Sequence, residues 1–177
     1  VETWVESVMK FFTSRNFAIS ASDGSVLGYG KSVWAMIDTQ SRQPVDIFSI
    51  NDGLIKEYVE TEKPCPIAKS GRVKVTADAE LVRTIDTYYN DVDVNGHINS
   101  IKYIEHVLDL FDIDFYKANR LKRLEVAYVA ETYQGDKLSF YREEVAPLEY
   151  AIKVVKIKKE TQETIEVCRI LMNFVKD

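Results

Sequence analysis

Asp93, Asn95 and His97 place a carboxylate, an amide and an imidazole within five positions of the chain. These groups suit the hydrolysis of a thioester. The carbonyl oxygen becomes negative as water attacks, and an amide or a backbone N–H can stabilise that charge. A base must take a proton from the water, and an imidazole or a carboxylate can do so near neutral pH. The stretch is therefore the strongest candidate for a catalytic site.

Each of these residues also has a purely structural interpretation. Asp and Asn in a loop usually form turns, and a histidine before an apolar helix usually packs or caps. The combination at this spacing is what favours catalysis. His106 is the only other histidine, and it falls with Lys102, Glu105 and Asp109 on one polar stripe at helical spacing. We expect His106 to be solvated.

A helix is predicted directly after the motif. Asn99 or Ser100 can cap it, and its pattern continues to about Phe111. Apolar residues cover most of its circumference, which predicts a largely buried helix. Its start supplies unpaired N–H groups and the favourable end of the helix dipole close to His97.

Strand-like segments surround that helix. Their composition and turn signals predict five strands in the second half of the chain: Leu81–Tyr89, Leu121–Ala130, Lys137–Glu143, Tyr150–Ile157 and Thr164–Phe174. One buried helix wrapped by an antiparallel sheet is the hotdog fold, of class α+β.

The first half of the chain repeats part of this arrangement of strands. Val1–Thr39 reads as strands with a turn at Ser22–Ser25, and Asn51–Glu60 reads as a short helix. The closing strands of the second half have counterparts here, but the long helix has none. We expect a tandem double hotdog in three parts. They are an incomplete first repeat at 1–62, a proline-containing linker at 63–75 and a C-terminal repeat with the catalytic residues at 76–177.

Composition narrows the class of protein. The 177 residues are 46% hydrophobic, enough for a core, and the net charge of −5 gives no support for nucleic-acid binding. Cys65 and Cys168 form no metal-binding pattern, so we expect reduced thiols and no metal. No apolar run is long enough to span a bilayer, so we expect no stable membrane insertion. No signal peptide is visible, but the chain opens on Val1, so that absence carries little weight.

The motif Asp93–Asn99, followed by Tyr103 and Glu105, resembles the signature of the acyl-ACP thioesterases of plants and bacteria. Further likenesses lie in Val1–Val5, Ser32–Met36 and Leu124–Asp136. The resemblance implies an enzyme that hydrolyses acyl-[acyl-carrier-protein] to free fatty acid and holo-carrier, which ends chain elongation. It implies no cofactor. The partner is an acyl carrier protein that bears its acyl chain on phosphopantetheine.

The resemblance also implies four catalytic roles. Asp93 orients the others, and Asn95 binds the thioester carbonyl. His97 acts on water or on the departing thiol. Glu131, on a strand beside the helix, is the remaining carboxylate. Plant members carry a cysteine next to that glutamate, whereas this chain has Thr132, so we expect direct attack by water and not an acyl-cysteine intermediate.

Two basic clusters could dock an acidic carrier. The first, called here the carrier cluster, follows the helix and comprises Lys117, Arg120, Lys122 and Arg123. The second comprises Lys153, Lys156, Lys158 and Lys159. The second cluster is explained at least as well by a solvent-exposed edge strand whose lysines prevent pairing with other chains.

Two other functions remain open from the sequence. The chain could be an acyl-CoA thioesterase of the same superfamily, or a non-catalytic acyl-binding hotdog protein, since the fold alone decides neither. Burial of four polar groups without a function would cost stability, which argues against the second. The bacterial cytoplasm is the favoured location, because Thr132 departs from the plant pattern, with the plastid stroma as the alternative. A homodimer is possible.

Overall fold

The computed structural model describes residues 1–177, which divide into two compact units, Val1–Lys69 and Ser70–Asp177. Each unit has a sheet of its own. No helix combines the length and the apolar character needed to cross a membrane.

The first unit is a three-stranded antiparallel sheet in the order β1-β2-β3. Its strands are β1 (Glu2–Val8), β2 (Phe12–Ser20) and β3 (Val26–Ala35). The predicted turn joins β2 to β3, and the Asp23 carboxylate accepts a hydrogen bond of 2.8 Å from the Ser25 amide there. Short 3₁₀ helices follow at Ile47–Ser49 and Asn51–Tyr58. The unit contains no α-helix.

The second unit is a five-stranded antiparallel sheet in the order β4-β6-β7-β8-β5. Its strands are β4 (Glu80–Asp86), β5 (Asn119–Tyr128), β6 (Lys137–Ala146), β7 (Glu149–Ile157) and β8 (Thr164–Lys176). All five predicted strands are present, with ends that differ by at most three residues. β4 and β5 form the edges of this sheet, and β7 lies inside it.

The predicted helix is α1 (Ser100–Leu108). The Asn99 side chain caps it by accepting a hydrogen bond of 3.0 Å from the Ile101 amide. Tyr103 and Val107 are its buried residues and join the core on the sheet. The helix ends three residues earlier than predicted, because the chain turns at Asp109 and enters a second, unpredicted helix, α2 (Ile113–Ala118).

The core of the second unit lies between α1 and the inner face of the sheet. Its buried strand residues are Leu138, Phe140, Ile152, Val154, Val167, Cys168, Ile170, Met172 and Phe174. Burial of apolar area at about 25 cal/mol per Å² supplies most of the stability of such a layer. The candidate site is built on loops that leave this layer, so a rigid scaffold positions it.

Candidate active site

A tight loop holds Asp93, Asn95 and His97. The Asp93 carboxylate accepts hydrogen bonds from the amides of Asn95, at 2.8 Å, and His97, at 3.2 Å. The Asp93 amide donates to the His97 carbonyl at 2.8 Å, and Gly96 takes the positive φ of 82° that closes the turn. Desolvation acts to raise the pKa of Asp93, but these backbone hydrogen bonds outweigh it, and the pKa lies below its ordinary value.

Backbone hydrogen bonds at the start of α1 connect this loop to the segment that follows β5. The Ile98 amide donates to the Thr132 carbonyl at 2.8 Å, and the Asn99 amide donates to the Asp91 carbonyl at 2.7 Å. Val92 and Ile98 also form an antiparallel bridge. The backbone on both sides of His97 is therefore fixed, and 34 residues of sequence separate Ile98 from its partner Thr132.

His97 and Glu131 meet at this junction. His97 Nε2 lies 3.4 Å from Glu131 Oε2, and the two side chains are 27% and 40% exposed. The pair is therefore in contact and open to water. The prediction that Glu131 lies on a strand is wrong, because the β5–β8 ladder ends at the Tyr128–Cys168 pair and Glu131 is in the loop beyond it.

Tyr133 completes the cluster and was missed by the sequence analysis. Its hydroxyl donates a hydrogen bond of 3.2 Å to Glu131 Oε2. Its ring stands edge-on to the imidazole of His97, with centroids 5.1 Å apart and an interplanar angle of 81°. The one available signal was a tyrosine two positions after a candidate carboxylate.

Thr132 faces away from this cluster. It is fully buried, and its Oγ1 makes no hydrogen bond of normal geometry. It packs in the interior near Tyr103, whose pKa burial raises to about 12. Glu131 reaches solvent while its neighbour does not.

Asn95 stays at the tip of its loop. It is exposed, and its contacts are with Asp93 and not with His97 or Glu131. The structure therefore brings together Asp93, His97 and Glu131, and leaves the Asn95 amide facing solvent.

His106 is not solvated, so that prediction is wrong. Its side chain is only 22% exposed, its Nδ1 is buried without a hydrogen-bond partner, and its ring packs edge-on against Phe140. Burial lowers the pKa of His106, against the opposing influence of Asp91, whose Oδ1 lies 4.0 Å from Nε2.

The carrier cluster is largely paired with carboxylates. Nitrogen–oxygen distances are 2.8 Å for Lys117 and Asp114, 3.4 Å for Arg120 and Asp177, and 2.7 Å for Arg123 and Glu125. Lys122 is exposed on the edge strand β5. These pairs offset much of the positive charge that the sequence suggested.

The second lysine cluster is not a solvated strand edge, because β7 lies between β6 and β8. Lys156 is 5% exposed, whereas Lys159 is exposed. A cavity of about 370 Å³ lies beside these residues and reaches the candidate site at Tyr133. Its lining is Tyr133, Gln134, Asp136, Lys156, Lys158, Lys159, Glu160 and Thr161. No group of three or more His, Cys, Asp or Glu side chains could hold a metal ion.

Comparison with known proteins decides the family. The model of the acyl-ACP thioesterase C-terminal domain matches residues 75–173, and that of the N-terminal domain matches residues 1–58. The chain belongs to the acyl-ACP thioesterase family. The family resemblance drawn from the sequence is thereby confirmed.

The relatives in this family come from bacteria and plants. An acyl-ACP thioesterase from Bacteroides thetaiotaomicron is 46% identical, with a TM-score of 0.86 over 98% of this chain and 67% of that one. The 12:0-ACP thioesterase from Umbellularia californica is 18% identical, with a TM-score of 0.79 over 99% of this chain and 66% of that one, and shows the shared fold. The predicted hotdog class is confirmed.

Curated plant thioesterases match over a shorter stretch. The chloroplastic palmitoyl-acyl carrier protein thioesterase of Arabidopsis thaliana is 27% identical over 135 residues, 74% of this chain and 33% of that protein. The chloroplastic oleoyl-acyl carrier protein thioesterase 2 of the same plant is 24% identical over 148 residues, 77% of this chain and 39% of that protein. The chain thus spans about a third of the length of these acyl-ACP thioesterases.

Proposed function

We propose that this chain hydrolyses acyl-[acyl-carrier-protein] to free fatty acid and holo-carrier. The observation that carries the proposal is the contact of His97 with Glu131 at 3.4 Å, open to water and anchored at the start of a helix. Membership of the acyl-ACP thioesterase family supports the choice of substrate. The product is a free acid, so the reaction ends elongation of the acyl chain.

Glu131 is the proposed general base. Its carboxylate takes a proton from water, and the water oxygen adds to the thioester carbonyl carbon. The carbon–sulfur bond then breaks. Glu131 hands the proton that it took from water to His97, 3.4 Å away, and His97 passes a proton to the departing thiolate, so that one water molecule is divided between the acid and the thiol. Tyr133 and the Asp93 loop hold the pair in place.

Asn95 is the proposed donor to the thioester carbonyl. It is exposed and contacts Asp93 but neither His97 nor Glu131, and contacts of this kind often tighten only when substrate is bound. As the carbonyl oxygen gains charge, the amide N–H stabilises it. Asp93 fixes the loop through the amides of Asn95 and His97, which is the orienting role proposed for it.

Direct attack by water is the proposed mechanism. A nucleophilic hydroxyl needs a base within hydrogen-bond reach and access to the substrate. Thr132 Oγ1 has neither, because it is buried and no carboxylate or imidazole lies within hydrogen-bond distance of it. Glu131, its immediate neighbour, is turned towards His97 and solvent.

The location proposed for the protein is the bacterial cytoplasm. The identity of 46% with the Bacteroides thetaiotaomicron protein supports it, whereas the chloroplastic relatives are less than 30% identical. A homodimer is part of the same proposal, since hotdog units commonly join edge to edge.

The test is a hydrolysis assay on purified protein with acyl carrier proteins that bear chains of different length. Released fatty acid and free thiol should appear in equal amounts. The same acyl groups on coenzyme A form the matched control, because the chemistry is shared and only the carrier differs. If the acyl-CoA series were hydrolysed faster, coenzyme A would replace the carrier protein in the substrate assignment. If Glu131→Gln kept wild-type turnover, the assignment of the catalytic site would be wrong.

A further inference from the structure

A lysine occupies the inner face of a central strand. Along β7 the buried positions alternate as Ile152, Val154 and Lys156, and Lys156 pairs across the ladder with the fully buried Leu138. The outward positions between them carry Lys153 and Val155, which are half-buried. The ammonium group of Lys156 therefore belongs to a row of buried, otherwise apolar side chains. An ammonium group in such a place is costly unless it is paired and hydrogen-bonded.

Lys156 is paired with the loop that carries Glu131. Its ammonium donates a hydrogen bond to the main-chain carbonyl of Glu131 and lies 3.9 Å from Oδ2 of Asp136. It also lies 5.5 Å from the centre of the Tyr133 ring. The side chains of Lys156 and Asp136 are 6% and 9% exposed, so water screens this pair little.

The rest of the loop is held separately. Asp136 Oδ2 accepts from the Tyr133 amide at 3.2 Å. The Thr87 hydroxyl contacts the carbonyls of Tyr133, at 3.1 Å, and Asp136, at 2.7 Å. These bonds fix residues 133–136. At the other end of the loop, the Ile98 amide holds the Thr132 carbonyl and the Lys156 ammonium holds the Glu131 carbonyl.

We propose that Lys156 is a positioning residue that keeps the Glu131 carboxylate beside His97. The inference rests on the proposed function only for its kinetic consequence; the placement of Glu131 itself is a structural claim. Without the ammonium, the Glu131 carbonyl loses its buried donor, and the main chain at Glu131 shifts away from the imidazole. A misplacement of about 1 Å in a catalytic group can cost about 100-fold in rate.

The first test is a double-mutant cycle in kcat for acyl-[acyl-carrier-protein] hydrolysis. Lys156→Met should lower kcat about 100-fold with KM little changed. In the Glu131→Gln background the same change should cause no further loss, because the group it positions is already gone. Lys137→Met, at an exposed lysine of the neighbouring strand β6, is the matched control and should leave kcat unchanged. Lys156→Arg, which keeps a cation, should recover part of the activity.

The second test does not need activity. The ring protons of His97 are observed by NMR at one fixed pH, with His106 as the internal reference. Lys156→Met should move the His97 signal in the same direction as Glu131→Gln does, while Lys137→Met should not move it. If wild-type protein fails to hydrolyse any thioester, the proposed function falls, and this measurement still decides the role of Lys156.

Two results would overturn the inference. One is an unchanged His97 signal in folded Lys156→Met. The other is an equal loss of kcat with and without Glu131, which would make Lys156 a general structural residue. If Lys156→Met does not fold, the pair Lys156→Met with Asp136→Asn removes both buried charges together and takes its place in both tests. It is then compared with Asp136→Asn alone, because Asp136 also accepts from the Tyr133 amide.

Discussion

The hydroxyl of Tyr133 donates to Oε2 of Glu131, the same oxygen that lies 3.4 Å from His97 Nε2. Tyr133→Phe removes that donor and leaves the ring against His97. A hydrogen bond of this kind contributes about 0.5–1.5 kcal/mol, so kcat should fall roughly threefold to tenfold. KM and the melting temperature should change little, because the side chain is half-exposed. Tyr89→Phe, at a ring that is 80% exposed, is the control, and equal losses in both variants would refute the role of Tyr133.

Glu131 and Thr132 should behave in opposite ways when changed. Glu131→Ala should lose roughly 10²–10⁴-fold in kcat, as expected for an essential general base. Thr132→Val and Thr132→Ala should keep most activity. The valine variant should lose little stability, since the buried hydroxyl that it removes makes no hydrogen bond of normal geometry. Rapid-quench analysis with radiolabelled acyl-[acyl-carrier-protein] checks the mechanism. A covalent acyl-protein that disappears with Thr132 would contradict direct attack by water.

His106 should make stability depend on pH. Its pKa in the folded state is lowered by burial from 6.5, so the folded protein resists taking up the proton. Stability is therefore fully present above the unfolded pKa of 6.5 and is lost as pH falls through the lower, folded value. Urea midpoints at pH 8 and pH 5 should differ less in His106→Leu than in wild type. His97→Gln is the control for the loss of an imidazole. If the urea midpoint of His106→Leu depended on pH as strongly as that of the wild type, His106 would not be the source of the pH dependence.

The carrier cluster should act through exposed cations, of which Arg120 and Lys122 lie on β5. The double variant Arg120→Glu with Lys122→Glu should raise KM for acyl-[acyl-carrier-protein] and reduce its dependence on salt, because complementary charge speeds the encounter. Hydrolysis of a small soluble thioester should be unchanged. Lys137→Glu, a 57% exposed lysine on β6 that pairs with Asp86, is the matched control. Equal loss on both substrates would show that the cluster is structural.

Local patterns predicted the parts of the site that are local. Asp93, Asn95 and His97 lie within five residues, so their loop could be inferred directly, as could the cap of α1 at Asn99. The position of Glu131 required knowledge of where the β5–β8 ladder ends, which depends on a strand 40 residues away. That is why Glu131 was predicted on a strand when it lies in a loop.

Long-range packing determined what the sequence could not predict. Lys156 was one of four lysines in a charged run, and only the sheet order shows that β7 is internal and that this lysine points into the core. His106 occupies the polar stripe of its helix, yet its own ring packs against Phe140 and lies near Asp91, while Glu105 and Asp109 on the same stripe are exposed. The short helix α2 was not predicted, because six residues give too little hydrophobic periodicity to detect.

The order of the strands has a consequence for how the chain is made. β5 pairs only with β8, which begins at Thr164, although β4, β6 and β7 can already pair with one another before β8 emerges from the ribosome. During that interval β5 has no partner strand, and Phe111 and Tyr150 lack the ring contacts that Phe174 of β8 makes with them in the finished protein. Such transiently unpaired strands are the sites at which nascent chains aggregate or recruit chaperones. Yield in expression should therefore respond to growth temperature and chaperone supply more strongly than the stability of the finished protein would suggest.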